Sequence, residues 1–144
     1  MQNRYKIAIV GATGVVGRTV LKVLEEKSFY NCSYVLFSSK KSAGNKIEFL
    51  GQNYIIQELT ETSFTNIKFD FAIFCAGGKV SEKYAPIAAS TGCIVIDNSS
   101  VFRMNEKVPL VVPEVNPEKI SENTGIIANP NCSTIQAVVA LKPL

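Results

Sequence analysis

Histidine and tryptophan are absent from the 144 residues, and charge is nearly balanced, with 15 Lys and Arg against 12 Asp and Glu. Without histidine, no cysteine or serine of this chain has an imidazole base of its own, and a mixed Cys/His metal site is excluded. The four cysteines, Cys32, Cys75, Cys93 and Cys132, include no Cys-x-x-Cys pair, so no metal is expected. Nothing marks a secreted chain held together by disulfides. No apolar run approaches the roughly 20 residues of a membrane helix. Only four apolar residues separate Lys6 from Gly11, too few for the apolar stretch of a signal peptide. A net charge of +3, scattered except at Lys40-Lys41, leaves no footprint for nucleic acid. These absences predict a cytoplasmic protein with no nucleic-acid partner and no membrane segment.

What is present is enough apolar residue, 47 %, for one core-forming domain over residues 1–144. Tyr5-Lys6-Ile7-Ala8-Ile9-Val10 is short, β-branched and stopped by Gly11, as a buried parallel strand would be. From Gly14 the period becomes helical, with Val16, Val20, Val23 and Leu24 on one face. Residues 33–37 make a second strand, and residues 46–50 and 52–57 two more about a turn at Gly51. Residues 70–75 form another buried strand, followed by a helix over about 80–91 in which Pro86 should cause a kink or shift. Strands at 93–97 and 125–128, an extended edge run at 108–112 and a capped turn at 116–120 complete the series. A helix then opens at Asn131-Cys132-Ser133-Thr134. Strands alternating with helices predict an α/β fold: Rossmann-like, doubly wound, a mostly parallel sheet with helices on both faces. An apolar last residue just after a helix, Leu144, leads us to expect a truncated chain.

Gly11-Ala12-Thr13-Gly14-Val15-Val16-Gly17 lies between the first strand and first helix. In that context Gly11 makes the tight turn, Gly14 admits a pyrophosphate to the backbone, and Gly17 lets helix and strand pack closely. Free N–H groups and the positive end of the helix dipole face the anion. An NAD site usually carries a carboxylate at the end of the second strand, about 20 residues on. Here that end reads Phe37-Ser38-Ser39-Lys40-Lys41-Ser42, hydroxyls and cations without a carboxylate, which suits the 2′-phosphate of NADP. The same glycine spacing occurs in short-chain dehydrogenases, which need Tyr-x-x-x-Lys. Four residues after Tyr5, Tyr30, Tyr34, Tyr54 and Tyr84 stand Ile9, Tyr34, Ser38, Glu58 and Ala88, and that reading fails.

Cys75 and Cys93 fall in apolar strands and Cys32 beside one, the usual setting of a small buried hydrophobe. Cys132 follows Asn129-Pro130-Asn131 and begins a helix. A helix N-terminus stabilises a thiolate, and its N–H groups can hold an oxyanion formed when sulfur attacks a carbonyl. From position alone, a structural and a nucleophilic role remain equally open.

Asn129-Pro130-Asn131-Cys132-Ser133-Thr134-Ile135-Gln136 resembles the active-site segment of aspartate-semialdehyde dehydrogenases. So do the glycine loop, Lys41-Ser42-Ala43-Gly44, Ala76-Gly77-Gly78, Asn98-Ser99-Ser100-Val101-Phe102-Arg103-Met104 and Val112-Pro113-Glu114-Val115-Asn116, all in order. The resemblance implies NADPH-dependent reduction of 4-aspartyl phosphate to aspartate 4-semialdehyde and phosphate, through a thioacyl group on Cys132. That reaction serves lysine, threonine and methionine biosynthesis. The resemblance also implies that Asn131 orients the reacting carbonyl and that Arg103 binds the substrate phosphate. It puts the cofactor against Gly11, Thr13, Gly14, Val15, Val16, Gly17 and Gly77, with Ser39, Lys41 and Ser42 near the adenosine phosphate. The family often has arginine at Lys41; lysine keeps the charge but not the fork, which implies a softer NADP preference. The family continues into a second domain that supplies a histidine, the amino-acid-binding residues and the surface of a homodimer or homotetramer. The 144 residues resemble the first half, and this half alone is expected to be inactive. Two other readings stand beside this one: a standalone NADP-binding module without activity, and an N-acetyl-glutamyl-phosphate reductase. The latter's cysteine segment usually reads Gly-Cys-Tyr-Pro-Thr.

Overall fold

The computed structural model describes residues 5–144. In chain order its elements are β1 (Tyr5–Val10), α1 (Val15–Glu26), β2 (Cys32–Ser38), β3 (Lys46–Phe49), β4 (Gln52–Ile55), β5 (Gln57–Glu58), α2 (Ser63–Asn66), β6 (Phe71–Phe74), α3 (Gly78–Ser90), β7 (Ile94–Asp97), a 3-10 turn (Pro117–Glu122), β8 (Ile126–Ala128) and α4 (Cys132–Leu141). Six strands form one sheet in the order β5-β2-β1-β6-β7-β8, and every pairing in it is parallel. The winding reverses between β1 and β6, so the carboxyl ends of these two strands open a crevice, the usual ligand position in such sheets.

Alternation along each strand divides the core in two. Ala8 and Val10 of β1 face Phe37, Phe64, Phe74 and Ala85, under α2 and α3. Ile7 and Ile9 face Leu21, Leu36, Phe49 and Ile56, under α1 and the β3–β4 hairpin. This is the doubly wound α/β architecture that the sequence predicts. Among the described residues, no helix is long and apolar enough to cross a membrane.

Locally, some expectations hold and others change. Residues 46–57 give the two strands expected about the turn at Gly51, the second ending at Ile55. β3 and β4 pair antiparallel as a hairpin of their own, and only Gln57–Glu58 joins the sheet, beside β2. Pro86 does not interrupt α3, which runs unbroken from Gly78 to Ser90. The carbonyl that Pro86 leaves without a donor belongs to Glu82, and both residues are exposed, where water can replace the lost bond. The run at 108–112 is a sheet edge held by a single bridge, Leu110 to Ala128. Asn116 does not cap the following turn with its side chain. Its Oδ1 instead accepts from Val112 N and its Nδ2 donates to Leu110 O, pinning that edge. The short helix α2 has no apolar period to announce it. Phe64 anchors it, stacked on Phe74 with ring centroids 6.0 Å apart.

Candidate active site

The glycine loop is shaped by contacts that only glycine permits. Gly11 has φ +87°, and a Cβ there would stand 2.9 Å from Ala76 N. A Cβ on Gly17 would overlap the Gly11 carbonyl, so α1 approaches the loop as closely as two backbones can. The N–H groups of Gly11 and Ala12 both donate to Phe37 O, at 2.9 and 3.1 Å, and Gly14 N donates to Gly11 O at 3.1 Å. These bonds tie the loop to the end of β2. The N–H groups of Thr13, Val15 and Val16 have no acceptor among the described residues, as expected at a helix start. Val15 is 86 % exposed.

This loop forms one wall of a cavity of about 470 Å³ at the crevice, with Ser38 and Ser39 after β2 and Cys75 and Ala76 after β6. The lining of this cavity suits a dinucleotide. Gly14, at the N-cap of α1, presents no side chain beside the unpaired amides of Thr13, Val15 and Val16, and a dinucleotide's phosphates match that donor set. The Thr13 and Ser38 hydroxyls share a 2.7 Å hydrogen bond across the crevice. Of the predicted cofactor residues, Gly11, Thr13, Gly14 and Ser39 line the cavity directly. Val15 and Val16 stand exposed at the start of α1, and Gly17 is buried beneath the loop. Gly77, with φ +89°, is the N-cap of α3, adjacent to Ala76. Lys41 and Ser42 do not line this cavity; they sit in the turn after Ser39, whose carbonyl accepts from Ser42 N at 2.9 Å. Sequence reasoning missed Arg18, whose Nε donates to Thr13 O at 3.1 Å. It also missed Tyr84 and Leu59, which close the apolar side of the cavity.

Cys132 is exposed at the first position of α4. Asn131 is its N-cap, and Asn131 Oδ1 accepts from Ser133 N at 3.0 Å. That bond leaves both hydrogens of Asn131 Nδ2 for another acceptor. Arg103 is half-buried and reaches back to two strand exits: Nε donates to Asn129 O at 2.9 Å and Nη2 to Asn98 O at 3.3 Å. The two asparagines are joined by Asn129 Nδ2 donating to Asn98 Oδ1 at 2.7 Å. A guanidinium has five N–H donors, so three remain for an anion. Because the sheet is parallel, the loops after β1, β6, β7 and β8 all emerge at its carboxyl edge. The glycine loop, Gly77, Arg103 and Cys132 therefore share that edge. The sequence singled out the residues but not the asparagine pair that aims Arg103.

Of the other thiols, burial pushes Cys75 up to about 11, with the Asp97 charge adding to it. Burial pushes Cys93 up to about 12, with a smaller push from Asp70. In the folded protein both protons are held more tightly than at the ordinary value of 9.0. Their stabilising contribution is therefore complete below about pH 9 and is lost as pH rises towards 11–12. The melting temperature should fall across that window. Replacing both cysteines by alanine should flatten the fall, as measured by thermal melts from pH 8 upward. Parallel curves for the two proteins would contradict the assignment.

The semialdehyde dehydrogenase NAD-binding domain model matches residues 6–123. Aspartate-semialdehyde dehydrogenase of Campylobacter jejuni is 56 % identical over all of this chain, which covers 43 % of that protein. The crystal structure of aspartate semialdehyde dehydrogenase II from Vibrio cholerae complexed with ASA is similar, with a TM-score of 0.91 and 50 % identity. That match covers 99 % of this chain and 46 % of the other. Aspartate semialdehyde dehydrogenase with NADP from Candida albicans matches with a TM-score of 0.78 and 27 % identity, over 96 % and 46 % of the two chains. The chain thus spans less than half the length of these relatives.

Proposed function

The chain belongs to the semialdehyde dehydrogenase family, whose NAD(P)-binding domain it carries, and from that premise we propose that it is the cofactor-and-nucleophile part of an NADP-dependent aspartate-semialdehyde dehydrogenase. The observation that carries this reading is the exposed thiol of Cys132, at a capped helix start on the sheet edge where Arg103 keeps free donors. Such an enzyme works on 4-aspartyl phosphate, aspartate 4-semialdehyde and phosphate, in the supply of lysine, threonine and methionine. The cytoplasm is the expected compartment, and a homodimer or homotetramer the expected assembly. The relatives named aspartate-semialdehyde dehydrogenase at up to 56 % identity support the substrate class.

Cys132 sulfur attacks the acyl carbon of 4-aspartyl phosphate; a C–S bond forms, the C–O bond to phosphate breaks, and phosphate leaves. Arg103 holds the phosphate in both its bound and leaving forms, through donors that Asn98 and Asn129 do not use. Asn131 Nδ2 donates to the reacting carbonyl oxygen, and the α4 N–H groups add to that stabilisation. NADPH, when bound, supplies hydride to the thioester. The amides of Thr13, Val15 and Val16 would hold its pyrophosphate, Gly77 would border it, and Ser39, Lys41 and Ser42 would meet the 2′-phosphate. Collapse of the resulting thiohemiacetal on Cys132 returns the thiolate and releases the aldehyde.

The complete protein should form NADPH from aspartate 4-semialdehyde, phosphate and NADP. No formation with this aldehyde, but formation with N-acetyl-glutamate semialdehyde, would move the protein to the reductase of that substrate. Lys41→Glu should raise KM for NADPH by about 10-fold, the value of one charge-assisted contact at an exposed site. KM for NADH should change little. Equal changes for both nucleotides would contradict the NADP assignment.

A further inference from the structure

Asp97 is a fully buried carboxylate to which the mechanism above gives no task. It closes β7, and both its oxygens are used. Oδ1 accepts from Ser81 Oγ at 2.5 Å and Oδ2 from Ser99 Oγ at 2.6 Å. Ser81 is fully buried, and Ser99 is 8 % exposed. These two serines belong to different parts of the site. Ser81 lies in the first turn of α3, where its N–H donates to Gly77 O at 3.1 Å, next to the Ala76 wall of the dinucleotide crevice. Ser99 lies in the loop that carries Arg103, and its Oγ also accepts from Val101 N at 3.3 Å. The backbone of Asp97 reaches a third part, since its carbonyl accepts from Asn129 N at 2.8 Å. Asn129 and Asn98, the residue directly after Asp97, supply the carbonyls that grip the guanidinium.

A buried carboxylate is costly unless its hydrogen bonds are complete. A fold that needed only packing would be served as well by an apolar side chain. We infer that Asp97 is a positioning residue which, through Ser99 on one side and Ser81 on the other, holds the Arg103 anion cradle at a set distance from the α3 wall of the cofactor crevice. The inference rests on the proposed function, because it gives the cradle the substrate phosphate and the wall the dinucleotide. It goes beyond that function in dividing the two serines. Ser99 serves the phosphate, Ser81 serves the cofactor, and Asp97 serves both by touching neither.

Steady-state kinetics of the complete protein, run in the direction that consumes inorganic phosphate, test this directly. Ser99→Ala should raise KM for phosphate by 10-fold or more (about the weight of one hydrogen bond to a charged group) and leave KM for NADP within about twofold. Ser81→Ala should do the reverse. Ser99→Thr, which keeps the hydroxyl, should restore KM for phosphate. Asp97→Asn places an amide N–H₂ where an acceptor is needed and should raise both constants. If Asp97→Asn fails to fold, the two serine variants still decide the matter. An active wild type whose serine variants lose melting temperature but keep both KM values overturns this inference alone, as does an equal rise of both KM values in each variant. A wild type inert towards phosphate and aspartate 4-semialdehyde overturns the functional reading, and this inference with it.

Discussion

Cys132→Ser in the complete protein is expected to lower turnover by about 10⁴-fold or more, the scale found when a covalent nucleophile is removed. A serine hydroxyl is a far weaker nucleophile than a thiol at neutral pH, because almost none of it is ionised, so the substitution should leave no second route. Nucleotide affinity should stay as it was, because Cys132 is not part of the crevice wall. A companion measurement separates the reactive thiol from the inert ones. At pH 8, alkylation followed by peptide mapping should label Cys132 well before Cys75 and Cys93. Cys132 is exposed. The other two, pushed up to about 11 and about 12, carry about 100-fold and 1000-fold less thiolate than a thiol at the ordinary 9.0. Labelling of Cys75 as fast as Cys132 would remove the basis for the mechanism.

The second large effect belongs to the glycine loop, where two substitutions of the same size should fail in different ways. In Gly17→Ala the new methyl meets only backbone: it overlaps the Gly11 carbonyl oxygen and stands 2.8 Å from Gly11 C and 2.9 Å from Ala12 Cα. None of these atoms can turn aside. The cost should be about 3 kcal/mol or more, a fall in melting temperature of roughly 10 °C. In Gly14→Ala the methyl meets Gly11 O at 3.4 Å, and the backbone is already extended, at φ −75°. Stability should drop by no more than about 1 kcal/mol. Dinucleotide affinity, read by equilibrium titration, should fall at least about 10-fold, because the methyl occupies the space through which backbone meets pyrophosphate. A Gly14→Ala protein that binds NADP normally would show that the loop's glycines serve packing alone.

Legibility followed the range of the interaction. The β1–loop–α1 unit was readable because each part has a local cause: a β-branched run, a glycine with positive φ, and a 3.6-residue period. The helix start at Asn131 was readable for the same reason, since the capping bond from Ser133 N to Asn131 Oδ1 spans only two residues. The two strands about Gly51 were readable too, but which sheet each part of residues 46–57 joins was not. A hairpin with its own antiparallel pairing and a strand of the main sheet carry the same alternation, and what separates them is which neighbour Gln57–Glu58 finds. Lys41 was chosen for its charge. Whether a cation on an exposed turn reaches a ligand is a matter of turn geometry that charge does not encode. The sequence also flagged Cys132 for its place before a helix, and exposure was the missing half of that argument.

From the residues alone came the alternating elements, the glycine loop, the proposed nucleophile and the family resemblance, all features written within a few neighbouring positions. Folding was needed to bring Arg103 back onto Asn129, 26 residues away, to join Asn98 to Asn129 across 31, and to close Asp97 onto Ser81 across 16. These bonds exist because β6, β7 and β8 end side by side at one edge of a parallel sheet. No periodicity along the chain records which strands become neighbours there.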